Sequence, residues 1–108
     1  MKLLELVAYF RNGGSYQDFC SSQSLDISSE VIEVYMEKTL HLDNDLAFFE
    51  IEKTDGKSEY IFKQVQYLNL FDFYYFLDTI EESHNDENNT LTDLEVANVL
   101  FSYARDDS

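Results

Sequence analysis

Proline and tryptophan are absent from this chain, cysteine occurs once, glycine three times, and only seven of its 108 residues are basic. Each shortage excludes something. Without proline, no element boundary is set by a residue lacking an amide proton, so boundaries fall to caps and turns. A lone Cys20 makes no internal disulfide and fits a reducing, cytoplasmic setting. Three glycines cannot build a phosphate cradle, and Gly13-Gly14 is placed to end a helix instead. No apolar run approaches the roughly 18 residues of a spanning helix. The opening MKLLELVAYF, broken by Glu5 and followed by Arg11 with no small-residue cleavage site, is not expected to act as a secretory leader.

What is abundant is acid. Twenty-two Asp and Glu give a net charge of −15 and a pI near 4.1. Such a field repels nucleic acid and anionic membrane and steers a cationic protein inward. It exceeds the magnitude of roughly 2 to 8 that suffices for solubility in a small domain. The apolar fraction of 44%, with nine Phe and eight Tyr, opposes a disordered acidic tail and predicts one packed domain over residues 1–108.

Patterning predicts an α+β fold. Leu3, Leu6, Val7 and Phe10 share a face in a helix over about 2–12, and Ser15 with Asp18 opens a short helix over about 15–23. Strands are expected over about 31–37, 46–53 and 58–65. The first of these also admits a helical reading, and its β-branched and aromatic content favours strand. Asp55-Gly56 is expected to turn the second strand into the third. The result is a three-stranded antiparallel meander with Glu33, Glu50 and Glu52 toward solvent and the other face under the helices. Asn69 with Asp72 marks a helix over about 69–82, and Thr92 with Glu95 one over about 92–104.

Motifs for chemistry are missing. Asp86, Asn88, Thr90 and Thr92 have the alternate spacing of a calcium loop, yet Leu91 stands where Gly is required and Ala97 where Glu is. His41 and His84 have no zinc spacing with each other or with Cys20. Asp43-Asn44-Asp45 reads as turn chemistry before a strand. No nucleophile elbow, Walker loop or His-Glu-x-x-His is present, so no catalytic, metal or cofactor residue is assigned and no enzymatic activity is expected.

The acids are unevenly placed. Residues 64–108 hold ten of them and a single base, Arg105. Within that half, Asp72, Tyr74, Tyr75, Asp78, Glu81, Glu82, Asp86 and Glu87 form the candidate partner-binding set. Tyrosine offers rigid apolar area with a hydroxyl, and flanking carboxylates accept charge-assisted hydrogen bonds from Arg and Lys. In size, acidity and tyrosine content the chain resembles bacterial toxin immunity proteins, those guarding against colicins and contact-dependent growth inhibition toxins. Tyr74-Tyr75 amid acids is similar to the tyrosine pair of the colicin nuclease immunity proteins, although Phe76 stands where those have Pro and the Asp-Gly turn departs from their all-helical bundle. The resemblance implies a cytoplasmic monomer that pairs with a basic cognate toxin, a nuclease, and covers its substrate groove, with no direct contact to nucleic acid or membrane. The alternative with the same electrostatics is a nucleic-acid mimic of anti-restriction or anti-CRISPR type, whose carboxylates stand in for phosphates.

Overall fold

The computed structural model describes residues 1–85 and 91–106. Helix α1 (Leu3–Arg11) buries Leu3, Leu6, Val7 and Phe10, the stripe its spacing marks. It ends as glycine permits: Gly13, at φ +92°, donates its N–H to the Phe10 carbonyl, and Gly14 donates to the Tyr9 carbonyl. A Cβ at Gly14 would lie 2.2 Å from the Tyr9 ring, so the second glycine answers to packing. Helix α2 (Tyr16–Ser22) starts at Ser15, whose hydroxyl accepts from the Asp18 amide.

The chain then forms β1 (Ile32–Glu37) and β2 (Leu46–Glu50), a helical turn α3 (Ile51–Thr54), and β3 (Glu59–Phe62) and β4 (Val65–Asp72). All pairings are antiparallel, in the order β2-β1-β4-β3. The architecture is α+β with helices toward both ends of the chain, but the sheet has four strands where three were expected. The segment after Asp55-Gly56 does not return along β2. Asp55 (φ 56°) and Gly56 (φ 70°) take the left-handed conformation their composition favours, and use it to end α3. Side chains fix that placement: the buried Thr54 hydroxyl donates to Glu33 Oε1 (3.0 Å), and the Tyr35 hydroxyl donates to the Lys57 carbonyl (2.6 Å).

The tight hairpin lies instead between β3 and β4, at Lys63 (φ 51°) and Gln64 (φ 68°). Two left-handed residues are what a two-residue hairpin of this hand requires, and Asn-Gly is the pair that meets the requirement without strain. Lys63→Asn with Gln64→Gly is therefore expected to raise the unfolding free energy by about 1–2 kcal/mol, seen as a higher urea midpoint at unchanged slope. An unchanged or lower midpoint would show that the left-handed pair carries no strain.

β4 also occupies the segment where a helix from Asn69 was expected. Asn69 stays in the strand opposite Tyr35 and donates its side-chain amide to Glu33 Oε2 (2.8 Å). Helix α4 (Phe73–Asn85) begins four residues later with Asp72 as cap, its Oδ1 accepting from the Tyr75 amide at 2.8 Å. A buried carboxylate and a paired strand outweigh a local cap signal. Helix α5 (Asp93–Asp106) opens on the expected reciprocal box: the Thr92 amide donates to Glu95 Oε1 and the Glu95 amide to Thr92 Oγ1, both at 3.1 Å. Arg11 Nη1 reaches Asp93 Oδ1 (2.9 Å) and the Leu91 carbonyl (3.1 Å), fastening α1 to the start of α5.

The helices cover one sheet face, where Ile32, Val34 and Met36 meet the buried stripes of α1, α4 and α5. Phe73, fully buried, is surrounded there by Phe10, Tyr16, Phe19, Phe48 and Phe76 at centroid distances of 5.1 to 6.2 Å. The opposite face is not the solvated acidic surface that the alternation suggested. Phe49 on β2 meets Tyr60 and Phe62 on β3 at 5.0 and 5.4 Å, although these strands form opposite edges of the sheet. The sheet therefore curls until its edges meet over the fully buried Tyr35, whose hydroxyl is pushed up in pKa by burial. Glu33 and Glu50 are both buried, and only Glu52 of the three is exposed as expected. The β2 faces are likewise exchanged: Phe48 and Glu50 lie toward the helices and Phe49 away from them.

Cys20 sits in the helix-side core. Burial pushes its thiol up, and burial together with the neighbouring Cys20 pushes the Tyr16 hydroxyl well above the ordinary phenol range. A raised thiol pKa leaves less reactive thiolate. Cys20 is expected to resist iodoacetamide at pH 8 in the folded protein and to react fully in guanidinium. Equal labelling in both would contradict the burial.

Candidate protein-binding surface

Successive residues of a helix point about 100° apart, so Tyr74 and Tyr75 leave α4 in different directions. Tyr74 is 53% exposed, and its hydroxyl donates to the Glu30 carbonyl at 3.1 Å. Asp78 and Glu81, four and seven residues on, follow it along one exposed line, and the exposed Glu82 stands at the flank of that line. Tyr75 is half-buried and stacks on Tyr103 of α5 at 4.2 Å with the rings 20° from parallel. The expected tyrosine pair is thus divided: one ring faces outward and the other joins α4 to α5. Asp72 is exposed but committed to its capping bond and lies at the N-terminal end of α4. Asp86 and Glu87 lie outside the described residues.

The contact between Tyr74 and Glu30 extends the line onto the loop that precedes β1. There Glu52 accepts from the Ser29 hydroxyl and from the Glu30 amide, and these bonds, the hydroxyl foremost, hold its carboxyl below the usual range. Asp26 is lowered in the same way by the Ser28 hydroxyl and amide. Both carboxylates accept bonds that favour the charged form, so they remain ionised to lower pH than free side chains do. Lys53, the nearby cation, is engaged with Glu50 at 3.3 Å. An acidic strip therefore runs from Glu81 through Asp78 and Tyr74 to Glu30, Glu52 and Asp26. The last three were not among the expected site residues, because they are scattered in sequence and only the Tyr74 and Ser29 contacts gather them.

Asp72 also borders a groove of about 400 Å³ that reaches Glu33, Glu59 and Asn69 on the sheet and Tyr103 on α5. None of these except Asp72 was singled out from sequence: Asn69 carried a cap signal, and Glu33 an apparent place on a solvated face. Among the described residues no cluster of His, Cys, Asp and Glu is arranged to hold a metal ion, and no helix is long and apolar enough to cross a membrane. What the surface offers is carboxylates beside a tyrosine, the chemistry of charge-assisted hydrogen bonding to Arg and Lys. No family model, no curated protein and no solved structure matches the chain.

Proposed function

We propose that this chain is an acidic immunity or inhibitor protein that binds a basic cytotoxic effector, a nuclease toxin, and neutralises it by covering its substrate groove. The observation that carries the proposal is the acidic strip with an exposed tyrosine at its middle, on a chain of net charge −15. A nuclease groove must attract phosphate, and so presents the Lys and Arg that such a strip complements. Steering can raise association to roughly 10⁸–10⁹ M⁻¹s⁻¹ at low salt, which suits a protector that must outpace the toxin's own substrate. The protein acts as a monomer that forms a heterodimer, in the cytoplasm, where a lone cysteine stays reduced.

The length of the strip, which passes from α4 to the loop before β1, favours one second reading: a nucleic-acid mimic that lays carboxylates along a basic channel. The activity of the captured partner separates the two. A tagged chain is used to capture proteins from its source cell, with washes at low salt and then at roughly 0.5 M, where screening releases surface-charge contacts. One stoichiometric basic protein retained through the second wash is the expected result. Scattered basic proteins, all lost in salt, would overturn the proposal.

A further inference from the structure

The groove of about 400 Å³ beside the start of α4 lies between β1, β3 and β4 on one side and α5 on the other. Its lining is of two kinds. Leu70 and Phe71 are buried and apolar, while Glu33, Glu59 and Asp72 bring carboxylates. Among the described residues no Lys, Arg or His lines it. Glu33 is 7% exposed, and the hydrogen bonds it accepts come from uncharged donors, Asn69 Nδ2 (2.8 Å) and Thr54 Oγ1 (3.0 Å), while the Tyr35 hydroxyl, whose proton goes to the Lys57 carbonyl, lies 3.5 Å away. A carboxylate buried among neutral donors is oriented by them without being balanced in charge. At the rim Tyr103 is 39% exposed, and its ring is braced by the stack on Tyr75.

We propose that this groove is a docking site for an arginine side chain of a basic protein partner; the inference rests on the partner class proposed above. Charge complementarity selects the occupant. Anionic lipid, nucleic acid and a second copy of this chain all bring negative charge to a negative wall. A small cation would leave the apolar lining unused, whereas arginine combines an apolar stem with a charged head. Its planar guanidinium carries donors in several directions, enough for carboxylates on three strands of the sheet wall, and it also packs on an aromatic face such as Tyr103 on the facing helix. Lysine, a compact and strongly hydrated charge, exploits less of this arrangement.

The test uses the whole protein, labelled with ¹⁵N at low ionic strength and titrated with the peptide acetyl-Gly-Arg-Gly-amide and its citrulline counterpart. The arginine peptide is expected to shift the amides of residues 58–59, 68–72 and 103–104 saturably, and the neutral citrulline peptide to leave them in place. Glu59→Gln should weaken binding roughly tenfold, as loss of a charge-assisted hydrogen bond does, and Tyr103→Ala roughly threefold, as loss of a cation–π contact does. Glu59 is exposed and takes no part in the Tyr75–Tyr103 stack, so Glu59→Gln keeps the experiment decisive if the buried Glu33→Gln variant, or Tyr103→Ala through loss of that stack, fails to fold. Equal shifts with both peptides, shifts confined to Asp78 and Glu81, or full binding by both rim variants would overturn the inference. The titration needs no partner. A silent groove in a protein that captures a basic partner removes the docking site alone, and a responsive groove in a protein that captures none removes the function proposed above.

Discussion

Replacing Asp78, Glu81 and Glu82 together by Lys is expected to slow association with the basic partner by on the order of 10- to 100-fold at low salt. The dependence of the association rate on ionic strength should flatten with it, since the steering field is what salt screens. All three side chains are exposed, and among the described residues none makes a bond that holds the fold, so the urea midpoint should scarcely move. The neighbouring tyrosines should then part company. Tyr74→Ala should raise the dissociation rate by about 2 kcal/mol equivalent if the ring is a hot-spot anchor, with little loss of stability. Tyr75→Ala removes the stack on Tyr103 that joins α4 to α5, and should act on stability first. Stopped-flow association over a salt series reads both effects. An association rate unchanged by the triple reversal would remove the α4 line from the interface.

Phe73→Ala is expected to cost about 3–5 kcal/mol, the range for a large aromatic truncated in a packed core. Phe73 is fully buried, and its ring is bounded by α1 through Phe10, α2 through Tyr16 and Phe19, the sheet through Phe48, and its own helix through Phe76. Neighbours drawn from four elements cannot all relax into the vacated space. Against a total stability of about 5–15 kcal/mol for a domain of this kind, the loss leaves little margin. Equilibrium urea unfolding measures it. A cost below about 1 kcal/mol would mean that the site collapses freely and is not the hub of the core.

Helices α1, α2 and α5 were legible in the sequence because their signals are local. The stripe of α1, the Ser15 cap of α2 and the Thr92-Glu95 box of α5 each bind within a few residues. The sheet was legible only in part, because its decisive contacts span the chain. Asn69 carries a helix-cap signature, but its amide is required by Glu33, thirty-six residues away, and so the strand extends to Asp72. Asp55-Gly56 carries a hairpin signature and takes the matching dihedral angles, while Thr54 and Lys57 are held by Glu33 and Tyr35 at the end of a helical turn. The true hairpin, Lys63-Gln64, has neither residue that would announce it. Glu33 joins the first two errors: an acid in an alternating strand reads as solvated, and nothing local tells that Thr54 and Asn69 will converge on it. The candidate surface followed the same rule. Tyr74, Asp78 and Glu81 align because helical spacing aligns them, whereas Glu30, Glu52 and Asp26 join them only through tertiary hydrogen bonds.

Neutralisation of a basic effector is read by titrating that effector's own activity. The basic protein captured by this chain is assayed on its substrate while the acidic protein is added in rising amounts. Neutralisation predicts that activity falls linearly to baseline at one equivalent, and that the triple Lys variant reaches the same endpoint more slowly. Full activity at several equivalents of a chain that is demonstrably bound would contradict it.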